Sequence, residues 1–96
     1  MYKIDAGLYV PNAFTPNGDN MNEVFRAVPL GMKKLNYFRI YNRFGQLLFS
    51  TNQQNGGWDG TYKGKRQNPD VYVWIVEGID YQDNKIFKRG IVTLIR

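Results

Sequence analysis

Hydrophobic and polar residues alternate along much of the chain, and this alternation is typical of β-strands. It is clearest in VYVWIVEGIDY, residues 71–81. The side chains predicted to face inward are Tyr72, Trp74 and Val76, and those predicted to face outward are Val73, Ile75 and Glu77. Because the outward set is not very polar, the pattern predicts a central strand that is partly covered on both faces.

The segment KLNYFRIYNRFGQLLFSTN, residues 34–52, predicts a β-hairpin. Its arms are rich in aromatic and branched residues, and NRFG supplies a tight turn in which Gly45 adopts a positive φ. Shorter strands are predicted in GLYVPNAF, where Pro11 imposes an edge or a bend, and in NEVFRAVPL, which ends at Pro29 and Gly31. The last strand, KIFKRGIVTLIR, follows the connection QDNK.

The predicted elements are almost entirely β-strands. A single turn near residues 19–22 is the only helical candidate, and NGGWDGTYKGKRQNPD is predicted to be a connection rich in glycine and polar residues. About seven short strands, with a turn signal roughly every ten residues, predict an antiparallel β-sandwich. The length of 96 residues predicts one domain, residues 1–96. Because the final strand runs to Arg96, we expect this domain to be the C-terminus of a larger protein.

The composition excludes several kinds of chemistry. The chain has no cysteine and no histidine, so it has no disulfide, no zinc site of the usual kind and no cysteine or histidine nucleophile system. Its net charge of +5 would suit an acidic partner or nucleic acid, but a surface with excess lysine explains it more simply. Asp59 with Asp19 or Asp70 could form the pair of catalytic carboxylates that a hydrolase needs. However, Asp59 and Asp70 stand in turn sequences, where aspartate usually binds the local backbone. We therefore expect no enzyme activity.

The segment VPNAFTPNGDNMNEVF, residues 10–25, is rich in side-chain oxygens. The candidate calcium ligands are Asn17, Asp19, Asn22 and Glu23. The spacing differs from an EF-hand loop, because Met21 stands at a ligand position and the terminal bidentate glutamate is missing. A turn closed by asparagine and aspartate side chains is the favoured interpretation. The sequence thus predicts no cofactor, with calcium at this loop as the open alternative.

Aromatic residues interleave with arginine and lysine between Tyr37 and Tyr81, as in platforms that stack on sugars or bases. Alternating aromatics on strands more often form core and cross-strand pairs. The two interpretations predict different exposure, because a platform needs two or three coplanar aromatics that are open to solvent on one face.

Three motifs together resemble the gliding motility-associated C-terminal domain, a family known from the Bacteroidetes. The first is P-N-x-F-[ST]-P-N-G-D-G-x-N-[DE]-x-F. Its positions are matched by Pro11, Asn12, Phe14, Pro16, Asn17, Gly18, Asp19, Asn22, Glu23 and Phe25. Asn20 stands where glycine is usual, and asparagine tolerates the left-handed conformation well. The second motif is IYNRFG, residues 40–45, and the third is WDG, residues 58–60.

The resemblance implies an immunoglobulin-like β-sandwich that acts as a C-terminal sorting signal. The expected partners are the type IX secretion machinery in the outer membrane and a dedicated outer-membrane partner protein. The parent protein would pass through the periplasm and be secreted or held at the cell surface, and the domain itself would neither bind nucleic acid nor span a membrane. The candidate recognition residues are Asn17, Asp19, Asn22, Arg43, Gly45, Arg89 and Arg96. The alternatives are an accessory carbohydrate-binding or surface-binding β-sandwich module, and a structural spacer.

Overall fold

The computed structural model describes residues 7–16, 24–30, 32–54 and 56–95. These residues form nine β-strands and no helix. The strands are β1 (Gly7–Tyr9), β2 (Ala13–Phe14), β3 (Val28–Leu30), β4 (Met32–Tyr41), β5 (Leu47–Thr51), β6 (Thr61–Tyr62), β7 (Lys65–Arg66), β8 (Asp70–Asp80) and β9 (Lys85–Leu94).

A five-stranded sheet in the order β2-β9-β8-β4-β5 is the largest element of the fold. All neighbours in it are antiparallel except β2 and β9, which are parallel. The longest ladder joins β8 to β9 and runs from the pair Asp70 and Leu94 to the pair Ile79 and Lys85. Strand β8 is therefore the central strand, as its hydrophobic pattern predicts.

Three smaller pairings accompany this sheet. Strands β1 and β3 pair antiparallel, and so do β6 and β7. Phe25 and Trp58 form an isolated antiparallel bridge, in which each backbone N–H donates to the other carbonyl at 2.8 Å. The turn between β6 and β7 holds Lys63 and Gly64 at φ of 51° and 80°, the pair of positive values that a type I′ turn requires.

The core lies on one side of the large sheet, which we call the inner face. The buried hydrophobic residues are Phe14, Phe25, Ala27, Met32, Leu35, Phe38, Ile40, Leu48, Trp58, Tyr72, Trp74, Val76, Val92 and Leu94. The inward set predicted for β8, namely Tyr72, Trp74 and Val76, belongs to this core. Within it, Phe25 contacts Phe14 and Phe38 at centroid distances of 5.6 and 5.5 Å. Such tilted aromatic pairs add stability beyond the area that they bury.

The prediction of an all-β fold is confirmed, and the prediction of a sandwich holds in outline. The predicted strand at residues 7–14 is two strands, β1 and β2, which separate around Pro11. In the described part of the second predicted strand, residues 24–30, the strand is β3, and Pro29 lies inside it. The connection predicted after residue 55 contains the β6–β7 hairpin, which the sequence pattern missed. The helical candidate near residues 19–22 lies outside the described ranges.

Candidate functional site

Arg43, Gly45 and Arg89 are the predicted recognition residues that the structure describes. Arg43 and Gly45 lie in the turn between β4 and β5, and Arg89 lies in β9. The remaining candidates, Asn17, Asp19, Asn22, Glu23 and Arg96, lie outside the described residues. Calcium binding by that loop stays a prediction. Among the residues that are described, no group of three acidic side chains is placed to hold a metal ion.

Asn42 builds the turn that carries Arg43 and Gly45. Its side-chain Oδ1 accepts hydrogen bonds from the backbone N–H groups of Phe44 and Gln46, both at 2.9 Å. Gly45 has a φ of +83°, and its own N–H donates to the Asn42 carbonyl at 3.0 Å. The positive φ predicted for Gly45 is therefore confirmed, and it gives this residue a conformational role. A Cβ added there would contact nothing within 4 Å, so the position is open to solvent or to a partner.

Arg43 projects from the turn into solvent. Its Nε lies 3.8 Å from Oδ2 of Asp70, the first residue of β8, and its guanidinium lies 5.1 Å from the centroid of the Phe44 ring. An ion pair this long and this exposed contributes little to stability. Arg43 is therefore available to a partner at little cost to the fold.

Arg89 lies on the other side of the large sheet from the core, which we call the outer face. The outer face carries the odd-numbered residues of β8 and β9, with Tyr37, Arg39 and Tyr41 of β4. Arg39 and Arg89 are both register partners of Ile75, one from each neighbouring strand. They are thus about 10 Å apart across two strand spacings. The structure brings Arg89 together with Arg39. It places Arg43 beside Asp70, at the start of β8.

Most of the exposed apolar residues are also on the outer face. Of the eight large hydrophobic side chains that are exposed in the described ranges, six lie there: Leu47, Val71, Val73, Phe87, Ile91 and Ile95. The apolar outward set of β8 predicts partial coverage of this face. In the structure Ile75 and Glu77 of that set are half-buried and Val73 is exposed, so part of this apolar face is open to solvent.

The residues of the three motifs that the structure describes divide into core and surface positions. Phe14, Phe25 and Ile40 are buried, and so is Trp58. Trp58 packs on Tyr72 at 5.0 Å between ring centroids, and its Nε1 donates to the Thr61 carbonyl at 2.8 Å. The motif aromatics therefore hold the fold together.

The carboxylates considered as catalytic candidates accept hydrogen bonds from neighbouring residues of their own turns. Oδ1 of Asp59 accepts from the backbone N–H and the hydroxyl of Thr61, at 3.0 and 2.7 Å. Oδ1 of Asp70 accepts from the N–H of Val71 at 2.7 Å. These are the turn roles expected from the sequence.

The exposed aromatics do not form one platform in the part of the chain that the structure describes. Phe44 is in the turn beside the start of β8, and Tyr81 follows the end of β8. Eleven residues of strand separate these ends, about 35 Å. Tyr37 is half-buried, with the Arg39 guanidinium 4.3 Å from its ring centroid. Phe87, the third exposed aromatic, lies on the outer face opposite Glu77, and Tyr37 and Tyr41 on that face are half-buried. The described strands therefore place one exposed aromatic on the outer face, where a carbohydrate platform requires two or three.

Comparison with known proteins identifies one family. Residues 8–94 match the CHU_C type IX secretion signal domain, which confirms the resemblance derived from the three motifs. No curated protein matches the chain. The described residues contain no helix of the length and apolar character needed to cross a membrane.

Proposed function

The chain belongs to the CHU_C type IX secretion signal domain family, and on that premise we propose that it is recognised, as a folded domain, by the outer-membrane machinery of type IX secretion. Membership makes the domain a sorting signal, and it implies that the protein carrying it is exported or attached to the cell surface. This family is a family of secretion signals and not of enzymes.

The family match over residues 8–94 is the observation that carries this proposal. The division of the motif residues into buried and exposed positions supports the proposal. Phe14, Phe25 and Trp58 are buried, while Arg43 and Gly45 are exposed on a turn that Asn42 holds in one conformation. Loops and turns on a rigid scaffold are the usual positions of recognition residues. Secretion machinery that recognises this surface therefore requires the folded domain.

The finer parts of the proposal concern route and partner. The protein carrying the domain would cross the periplasm, and a dedicated outer-membrane protein would bind the domain there. Arg43 and Arg89 are the predicted recognition residues with exposed side chains among those described. The loop that contains Asn17, Asp19 and Asn22 is proposed as a further contact of this partner.

A reporter fusion tests the proposal. Residues 1–96 are fused to the C-terminus of a fluorescent protein that is targeted to the periplasm of a bacterium with a type IX system, and the partner protein is supplied where it is known. We expect fluorescence outside the cell, and we expect it to disappear when the secretion machinery is deleted. The same reporter without residues 1–96 is the control. Retention of the fused reporter in the periplasm, with the domain folded, would contradict the proposal.

A further inference from the structure

The outer face carries an apolar row beside the turn between β4 and β5. Val73 and Ile91 are direct cross-strand partners, and they are 38% and 60% exposed. Tyr41 is the partner of Val73 on β4, and Leu47 is the partner of Tyr41 on β5. The row therefore crosses four strands, about 14 Å. A solvent-facing sheet surface is usually polar, and an exposed apolar patch on a rigid face marks a contact surface.

A positively charged row lies next to the apolar row, two residues further along the strands. It consists of Arg39, Ile75 and Arg89. The ion pairs found within the described ranges involve neither arginine. The guanidinium of Arg39 lies against the Tyr37 ring, which orients it before any partner binds. Arginine and exposed aliphatic residues side by side are the composition of the centre of a protein interface.

One carboxylate, that of Glu77, lies beside these two arginines and Lys85 on the described part of the outer face. Glu77 follows Ile75 on this face of β8, and its carboxylate accepts a hydrogen bond from Nδ2 of Asn36 at 2.9 Å. Lys85, the register partner of Ile79, adds a further positive charge. The described part of the face is thus positively charged around its apolar row, in keeping with the net charge of +5.

This charge distribution selects the occupant. A second copy docked face to face about a two-fold axis parallel to the strands would bring Arg39 and Arg89 of both chains together, and like charges in a dry contact are unfavourable. A flat row of branched aliphatic residues matches a protein surface, which can supply apolar side chains and carboxylates at fixed positions. The complementary surface has an aliphatic centre and carboxylates about 7 Å to one side of it.

We propose that the outer face docks on a protein of the secretion machinery, with Val73 and Ile91 against aliphatic side chains and Arg39 and Arg89 paired with carboxylates. The proposal rests on the proposed function, because it takes the secretion machinery as the partner. It assigns the recognition surface to the outer face of the sheet, which begins beside the Arg43 turn, because Tyr41 and Leu47 flank that turn.

Two double variants of the reporter fusion test it. Val73→Thr with Ile91→Thr removes apolar surface but keeps branching at Cβ, which strands favour. Arg39→Glu with Arg89→Glu reverses the charged row. The matched control is Lys65→Glu with Arg66→Glu, which makes the same change in charge at two exposed residues of β7. We expect each outer-face variant to reduce exported fluorescence at least about tenfold and the control to leave it unchanged.

The purified domains are compared by thermal melting, so that a fall in export is attributed to docking only where the variant is folded. Folded outer-face variants that are exported like the wild type would overturn this proposal and leave the proposed function standing. A wild-type fusion that is not exported would instead contradict the proposed function itself.

Two further measurements distinguish a protein partner from the two other possible occupants of this face, a second copy of the domain and an anionic lipid. A dimer of the purified domain in analytical ultracentrifugation that the threonine variant dissociates would overturn the proposal in favour of a second copy. Binding to vesicles of phosphatidylcholine with phosphatidylglycerol that the glutamate variant abolishes and the threonine variant keeps would overturn it in favour of an anionic lipid. A monomer that does not bind these vesicles supports it.

Discussion

Asp80 closes the turn between β8 and β9 with its carboxylate. Its Oδ1 accepts hydrogen bonds from the backbone N–H groups of Asn84 at 2.8 Å and Gln82 at 2.9 Å. The hydrogen bond from the Asn84 backbone is the main cause that lowers the pKa of Asp80 below its ordinary value of 3.8, against the opposing effect of burial. The hydrogen bonds from Gln82 and from the Asn84 side chain lower the pKa further.

The lowered pKa makes stability depend on pH in a defined direction. Because the folded domain binds the proton of Asp80 more weakly than the unfolded chain does, the ionised carboxylate stabilises the fold above the unfolded pKa. This stabilisation is lost as the pH falls through the folded pKa. We expect Asp80→Asn to lower the free energy of unfolding at neutral pH and to lower it less below about pH 4. Urea unfolding at a series of pH values measures this, and a difference that is constant across pH would contradict it.

At the scale of the element, the β4–β5 hairpin depends on Asn42. Its Oδ1 binds two backbone N–H groups, and its Nδ2 donates to Oε1 of Gln46 at 3.1 Å. We expect Asn42→Ala to destabilise the domain by about 1 kcal/mol, because the turn loses hydrogen bonds that water replaces only in part. Asn42→Asp is the matched control, since it keeps the accepting Oδ1. Chemical denaturation compares them, and equal losses for the two variants would contradict this account of the turn.

The same hairpin shows which elements the sequence predicts well. Residues 34–52 carry all of their signals locally: alternation in both arms and a glycine where the turn needs a positive φ. The pairing of β1 with β3, the parallel pairing of β2 with β9 and the Phe25–Trp58 bridge join residues that are far apart in the chain. No local pattern encodes these contacts, and so two predicted strands had the wrong extent.

The candidate site was predicted in part for a related reason. Arg43 and Gly45 are predicted because a hairpin tip is evident in the sequence, and Arg89 because it is an arginine of the last predicted strand, near the end of the chain. Arg89 lies close to Arg39 because of the register of three strands, which the sequence does not determine. The outer face was missed because apolar outward residues on a central strand predict a covering layer equally well.

At the scale of the whole molecule, three motifs that are far apart in the chain meet in one core. Phe14 and Phe25 come from the first motif, Ile40 from the second and Trp58 from the third, and all are buried. Phe14 contacts Trp58 at 5.5 Å between ring centroids. The family signature is thus largely a signature of the fold. Under the proposed function, the surface residues carry the specific contacts, and the signal works only when the domain is folded.

The central claim, that the folded domain is what the machinery recognises, is tested most directly by Trp58→Ala in the reporter fusion. Loss of this indole costs about 3–5 kcal/mol, a large part of the stability of a small domain. Export is measured at a temperature between the melting temperatures of the purified variant and the wild type. Tyr81→Ala is the control, because it removes an aromatic that is 73% exposed and lies outside the turn that carries Arg43.

We predict that the Trp58→Ala reporter remains in the periplasm at that temperature, with its full length verified by immunoblot, while the Tyr81→Ala reporter is exported like the wild type. Recovery of export on cooling below the melting temperature of the variant would support the account further. Export of the unfolded Trp58→Ala domain at the wild-type level would show that the machinery recognises a linear sequence, and it would contradict the account.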